Sequence, residues 1–221
     1  MLRLIAFDFD GVLARGSNEA YLDCYHRAMV QVGVHLDPAI ERQRILARWG
    51  QAVEEQVELL LQDHKEKIPE AVAHFNEARR SPAFRAQVSL FPGAEDVVKK
   101  LSVNHTLTIV SGAERALIES VLGPELLPLF THIYSGADYS SDLQKPDPYM
   151  LLQALDKTNC QPYEAIFIGD APNDLRMAKA AQVSSIALLT SYLTKDQALE
   201  LGARVVLDDI AQVPEVIPTL S

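Results

Sequence analysis

Residues 1–13, MLRLIAFDFDGVL, contain a short apolar run, 2–7, that ends in Asp8-Phe9-Asp10-Gly11. A short, continuously apolar run bounded by turn residues reads as a strand buried on both faces, as in a parallel sheet covered by helices. Short, largely apolar runs recur at 106–110, 165–168, 184–189 and 204–207. Helical patterns fill the gaps, at 94–101, at 114–122 where Gly123-Pro124 stops them, at 148–156 and at 174–181. Strands alternating with helices imply an α/β domain with right-handed crossovers.

Residues 17–85 break that alternation. Ser17 is placed to cap a helix that runs to Gly33, and Asp37-Pro38 supplies an N-cap followed by Pro at the first helical turn. Gly50 separates that second helix from a third over 52–61, and Pro69 opens a fourth. The expected fold class is therefore α/β, a Rossmann-like parallel sheet core over 1–16 and 86–221, with an all-helical insert over 17–85.

The acidic residues stand at strand ends. Residues two apart in extended chain point the same way, so Asp8 and Asp10 are expected on one face. Open α/β sheets bind ligands at the carboxyl ends of their strands. Two carboxylates there can divide the work, one ionised as nucleophile or metal ligand, one protonated as acid. An isolated Asp-x-Asp is otherwise a polar turn. A second cluster, Gly169-Asp170-Ala171-Pro172-Asn173-Asp174, follows the run at 165–168. Oxygen-only ligands at Asp8, Asp170 and Asp174 suit Mg²⁺; Asp170 or Asn173 can equally cap the helix that follows. Ser111-Gly112 precedes a helix, where a hydroxyl and backbone N–H groups can hold an anion or merely cap. Lys145, in Lys145-Pro146-Asp147-Pro148, is either a solvated turn lysine or a cation that offsets repulsion between Asp8 and a phosphate.

Together these segments resemble the haloacid dehalogenase-like superfamily, close to its phosphoglycolate phosphatase branch. The motifs are FDFDGVL at 7–13, VSG at 110–112, KPDP at 145–148 and GDAPND at 169–174, in that order, with Leu90-Phe91-Pro92-Gly93-Ala94 also fitting. The resemblance implies a phosphohydrolase whose nucleophile is Asp8. It implies that Asp10 holds Mg²⁺ through its backbone carbonyl and serves as acid and base through its side chain. It further implies that Ser111, Gly112 and Lys145 hold the phosphoryl oxygens, that Asp170 ligates the metal, and that Asp174 supports it directly or through water. The helical insert takes the place of the family's cap domain. There Arg48 and Trp49, reinforced by Arg44, either contact substrate or stabilise the cap. Ala14-Arg15-Gly16-Ser17 and Ala181-Gln182 depart from the common pattern and leave the catalytic motifs intact.

The expected reaction is Mg²⁺-dependent hydrolysis of a small phosphorylated metabolite. A β-phosphoglucomutase-type mutase shares the core. Gly169, where such mutases often carry Glu, tilts the reading toward hydrolysis. A non-catalytic phosphometabolite-binding protein is the third reading, against which the intact acidic motifs weigh. The net charge of −10 argues against a nucleic-acid surface. The first residues lack the length of a leader's apolar core, and no 18-residue apolar stretch suggests a membrane span. Cys24 and Cys160 have no metal or redox spacing and read as free thiols of a cytoplasmic protein. A monomer or weak dimer is expected.

Overall fold

In the computed structural model, which describes residues 1–220, a sixth strand joins the five expected ones in the main sheet. The strands are β1 (Leu4–Phe7), β2 (Ala14–Arg15), β3 (Ser89–Leu90), β4 (Thr106–Ser111), β5 (Phe130–Ser135), β6 (Ala165–Gly169), β7 (Ser184–Leu188) and β8 (Val205–Leu207). Six form one sheet in the order β5-β4-β1-β6-β7-β8. Every pairing in it is parallel. The order reverses at β1, which runs outward through β4 to β5 on one side and begins again with β6 on the other. A doubly wound sheet binds its ligands at that reversal.

The helices are α1 (Ser17–Gln31), α2 (Pro38–Ala47), α3 (Val53–Leu60), α4 (Ile68–Arg79), α5 (Pro82–Arg85), α6 (Ala94–Ser102), α7 (Arg115–Leu126), α8 (Tyr149–Thr158), α9 (Pro172–Ala180), α10 (Lys195–Glu200) and α11 (Val213–Val216). None among the described residues is long and apolar enough to cross a membrane. The chain divides into two compact units, Met1–Arg15 with the segment from Ser89 onward, and Gly16–Val88.

In the first unit the core sits on both faces of the sheet. Leu4, Ile5, Ala6 and Phe7 are all fully buried, which explains the unbroken apolar run of β1. On one face Leu4, Ala6 and Phe167 pack with Met150, Leu151 and Met177 from α8 and α9. Each of these side chains larger than alanine contributes roughly 1.5–3 kcal/mol by leaving water. The strand at 130–135 escapes a sequence reading because it is an edge strand. Its burial is uneven, with Thr131 exposed and His132 and Ile133 only half-buried, so no continuous apolar run marks it.

The second unit is helical. α1 packs on α4 through Tyr25 and Phe75, whose ring centroids lie 4.3 Å apart, and Tyr21 meets Phe84 at 4.9 Å. Asp37 caps α2 as expected, accepting hydrogen bonds from the N–H groups of Ala39 and Ile40. Ser17 does not cap α1. Gly16 occupies that position with φ +87°, and Ser17 is the first helical residue, fully buried. Only glycine fits at 16, because a Cβ there would lie 2.0 Å from the Gln87 carbonyl oxygen. Gly16→Ala is expected to cost about 2–3 kcal/mol. At this size that lowers Tm by roughly 5–10 °C, readable by differential scanning calorimetry.

Candidate active site

β1 delivers Asp8 to the reversal of the sheet. The strand ends at Phe7, paired with Ile109 of β4 and Ile168 of β6. The Asp8 N–H then donates to the Ile168 carbonyl at 2.8 Å, which continues the ladder by one bond. Beyond Asp8 the chain turns sharply. The Phe9 carbonyl accepts from Val12, Leu13 and Ala14 at 3.3, 2.9 and 2.8 Å. Asp10 is therefore placed by this turn and not by the alternation of a strand, as the sequence alone suggests.

Gly11 makes the turn with φ +74°. A Cβ on it would fall 1.8 Å from Asp170 Oδ2, so the Asp170 carboxylate rests against bare backbone. The Thr190 hydroxyl donates to the Gly11 carbonyl and pins the turn from the other side. Gly11→Ala should therefore displace Asp170. We expect at least a tenfold weaker response to divalent metal, measured by calorimetric titration, since groups that orient metal ligands are worth roughly 10–100-fold.

β6 delivers the second acidic pair. Asp170 follows Gly169, and Asp174 lies on the first turn of α9. Neither Asp170 nor Asn173 caps that helix. The Asp174 carboxylate does so from inside it, accepting from the N–H groups of Asp170 and Ala171, both at 3.1 Å. Asn173 instead accepts from the Arg176 guanidinium at 3.0 Å. Asp174 can point inward because residue 169 is glycine: a Cβ there would lie 2.4 Å from the Asp174 Cβ. Gly169 thus has a packing reason that is independent of which reaction the site performs.

Asp8, Asp170 and Asp174 are all buried, and one carboxylate oxygen from each lies within 4.8 Å of the others. Arg176, the cation next to 170–174 in sequence, is bound to Asn173, and the fold supplies another. Lys145 Nζ lies 2.8 Å from Asp8 Oδ1 and 2.6 Å from Asp174 Oδ1, with its head 5.4 Å from the centre of the Phe167 ring. Burial works against the charge of Lys145, yet Asp174 and Asp8 outweigh it and hold its pKa above the ordinary lysine value. One lysine does not balance three carboxylates. Burial, and then the charges of Asp174 and Asp8, push Asp170 well above the usual carboxylate range, against the pull of Lys145. Burial and the charge of Asp8 push Asp174 up to about 6, although Lys145 and the Ala171 N–H pull the other way. Buried carboxylates that cannot all ionise together, with oxygen the only donor atom, are chemically fitted to a divalent cation such as Mg²⁺.

β4 delivers Ser111, which is buried and accepts from the Ala113 N–H at 3.2 Å, so its own proton remains to be donated. Gly112 follows it. Arg48 and Trp49 belong to the helical unit. Arg48 donates to the Glu55 carbonyl at 3.0 Å, and Arg44 donates to the Leu59 and Leu60 carbonyls at 3.3 and 3.5 Å. Both arginines thus tie α2 to α3. Arg44 meets the last turn of α3, where carbonyls lack helical partners. Trp49, half-buried, follows the end of α2.

A doubly wound α/β fold with an acidic, lysine-braced cluster at its topological reversal defines a class of ligand-binding α/β proteins. The sequence pattern of haloacid dehalogenase-like hydrolases matches residues 5–188, and the chain belongs to that family. It is 29% identical over 147 residues to phosphoglycolate phosphatase 1 of Pseudomonas aeruginosa, covering 66% of this chain and 53% of that protein. The chain spans about half the length of the phosphoglycolate phosphatases it matches. Among solved structures, a haloacid dehalogenase-like family hydrolase from Streptococcus pneumoniae superposes with a TM-score of 0.82 at 22% identity, covering 97% of each chain. A Bacteroides vulgatus chain named for beta-phosphoglucomutase superposes at 0.76 with 24% identity, covering 99% of this chain and 88% of its own. At these identities the two structures speak for the fold alone.

Proposed function

We propose that this protein is a Mg²⁺-dependent phosphatase that hydrolyses a small phosphomonoester through a phosphorylated Asp8. The observation that carries the reading is the convergence of Asp8, Asp170 and Asp174 within 4.8 Å, with Lys145 paired to the first and third. The family and its phosphoglycolate phosphatase members support the same reading.

Asp8 Oδ1 accepts from both the Phe9 N–H, at 2.6 Å, and Lys145. These bonds fix the carboxylate and leave Oδ2 as the oxygen that attacks phosphorus. The Ser111 hydroxyl, the backbone at Gly112 and Lys145 bind the phosphoryl oxygens as charge builds on them. Asp10 protonates the departing alkoxide and then takes a proton from the water that cleaves the acyl phosphate. Asp170, Asp174, Asp8 and the Asp10 carbonyl would hold the metal. Bound there, Mg²⁺ would neutralise charge on the transferring group. The helical unit serves in this reading as the cap that selects the substrate. Hydrogen exchange in α1–α4 should slow when a phosphate analogue binds.

Phosphate release from a panel of phosphorylated metabolites, with Mg²⁺ and then with excess chelator, tests the proposal. Release that requires Mg²⁺ and no bisphosphate activator is expected. Isomerisation of β-glucose 1-phosphate far faster than any hydrolysis, and only after bisphosphate priming, would put a mutase in its place.

A further inference from the structure

Gln144, the residue before Lys145, plays no part in the chemistry above, yet its side chain joins two of the segments that chemistry needs. Its Nε2 donates to the Gly136 carbonyl at 2.9 Å and to the Tyr139 carbonyl at 3.1 Å. A carboxamide has two N–H donors, and both are used. Gly136 follows β5 and is wedged in place. A Cβ on it would lie 3.1 Å from the Gly112 Cα and 3.2 Å from Gln144 Oε1. Just before it, the buried Ser135 hydroxyl donates to the Ala113 carbonyl at 2.7 Å. A chain of contacts therefore runs from Ser111, Gly112 and Ala113 through Ser135 and Gly136 to Gln144 and Lys145.

We infer that Gln144 is a positioning residue, whose carboxamide fixes Lys145 and the 111–113 turn in one geometry so that both meet the same phosphoryl group. The inference rests on the phosphatase reading and adds to it what aligns the phosphoryl-binding residues. Lysine has a flexible four-carbon stem and sets no geometry by itself. Asp8 and Asp174 hold its head. The loop that carries its backbone is clasped by Gln144, through the side-chain bonds to 136 and 139. Two backbone bonds assist, from Gln144 N–H to the Ser141 carbonyl at 3.3 Å and from Asp147 N–H to the Gln144 carbonyl at 2.8 Å. Loss of the carboxamide takes the side-chain donor from the Tyr139 carbonyl, leaves the Gly136 carbonyl with the Tyr139 N–H alone, at 3.1 Å, and frees Gly136 to drift from Gly112. Alignment counts most where charge is greatest, so the transition state suffers more than the bound ester.

The test uses the whole chain, p-nitrophenyl phosphate as substrate, orthovanadate as inhibitor, and the variants Gln144→Ala and Gln144→Met. Methionine keeps the volume without the donors and carries the test if the alanine variant does not fold. We expect kcat to fall roughly 10–50-fold with KM within about twofold, below the roughly 100-fold that misplacing a reacting group can cost. Vanadate inhibition should weaken by a similar factor, with Tm within about 3 °C of wild type. A folded variant with wild-type kcat and wild-type vanadate affinity would overturn the inference alone. So would activity lost only in proportion to the unfolded fraction. A wild-type protein that hydrolyses no phosphomonoester would remove the phosphatase reading, and the inference with it.

Discussion

Asp8→Asn is expected to abolish turnover, lowering kcat by roughly 10⁴–10⁶-fold, the scale of deleting a covalent nucleophile. The fold should survive. Asparagine is isosteric, and its Oδ1 still accepts from the Phe9 N–H and from Lys145, the two bonds that seat the native side chain. The amide nitrogen that replaces Oδ2 has no lone pair for attack on phosphorus. Steady-state assay with a circular dichroism melt separates the two effects. Lost activity with Tm within a few degrees of wild type is the expected pair. Phosphate release at near the wild-type rate from the purified variant would remove Asp8 from the role.

Asp170→Asn should have opposite effects on activity and stability. In the proposed reading the variant loses a metal ligand, and at least a 100-fold loss of Mg²⁺-dependent activity is expected, the upper end of what even outer-shell partners are worth. Yet without metal it should be more stable than wild type at pH 8. Burial and the charges of Asp174 and Asp8 raise the Asp170 pKa in the folded chain above its unfolded value, near 3.8. Between those two values the folded state binds more protons than the unfolded one, so stability falls as pH rises. Asp174, raised to about 6, adds a loss of the same sign, on the order of 3 kcal/mol, complete by about pH 7. Asparagine at 170 resembles the protonated acid and escapes the Asp170 part of that loss. In chelator, the melting curves of variant and wild type should nearly coincide near pH 4, with the variant increasingly the higher as pH rises to 8. Added Mg²⁺ should raise Tm of the wild type and leave the variant unmoved. A variant less stable than wild type across this range would contradict the buried-charge account.

The fold was legible wherever an apolar run stopped at a cluster of acids or a Ser-Gly pair. β1 and β6 are buried on both faces, so their sequences show no alternation; β4 opens Thr106-Leu107-Thr108-Ile109 yet buries Thr108 too, and all three carry a polar motif where they leave the sheet. β5 was not legible, because only three of its six residues are buried and its one contribution to the site, Ser135, acts through a backbone carbonyl. The expectation for Asp10 rested on strand alternation, but the chain turns after Asp8, with three N–H groups on one carbonyl, a geometry that spacing does not encode. The pairing of Lys145 with Asp174 joins residues 29 apart, which no local pattern reveals. The arginines of α2 illustrate the limit from the other side. The sequence leaves a ligand contact and cap stability open for Arg44 and Arg48, and both reach the backbone of α3. Gln144 and Thr190 carry no local signal at all. Each is a lone polar residue in a loop, and only the folded chain brings their side chains to Gly136 and Gly11.

Covalent attachment of phosphate to Asp8 is the centre of the account, and rapid quenching tests it most directly. The enzyme, Mg²⁺ and an excess of substrate are mixed and stopped in acid within milliseconds, and the digested protein is mapped by mass spectrometry. A phosphoryl group should be found on the peptide that contains Asp8, building up before steady state and vanishing as substrate is exhausted. It should be absent from Asp8→Asn. Steady release of phosphate with no phosphorylated peptide at any time, or with the phosphoryl group on another residue, would contradict the mechanism.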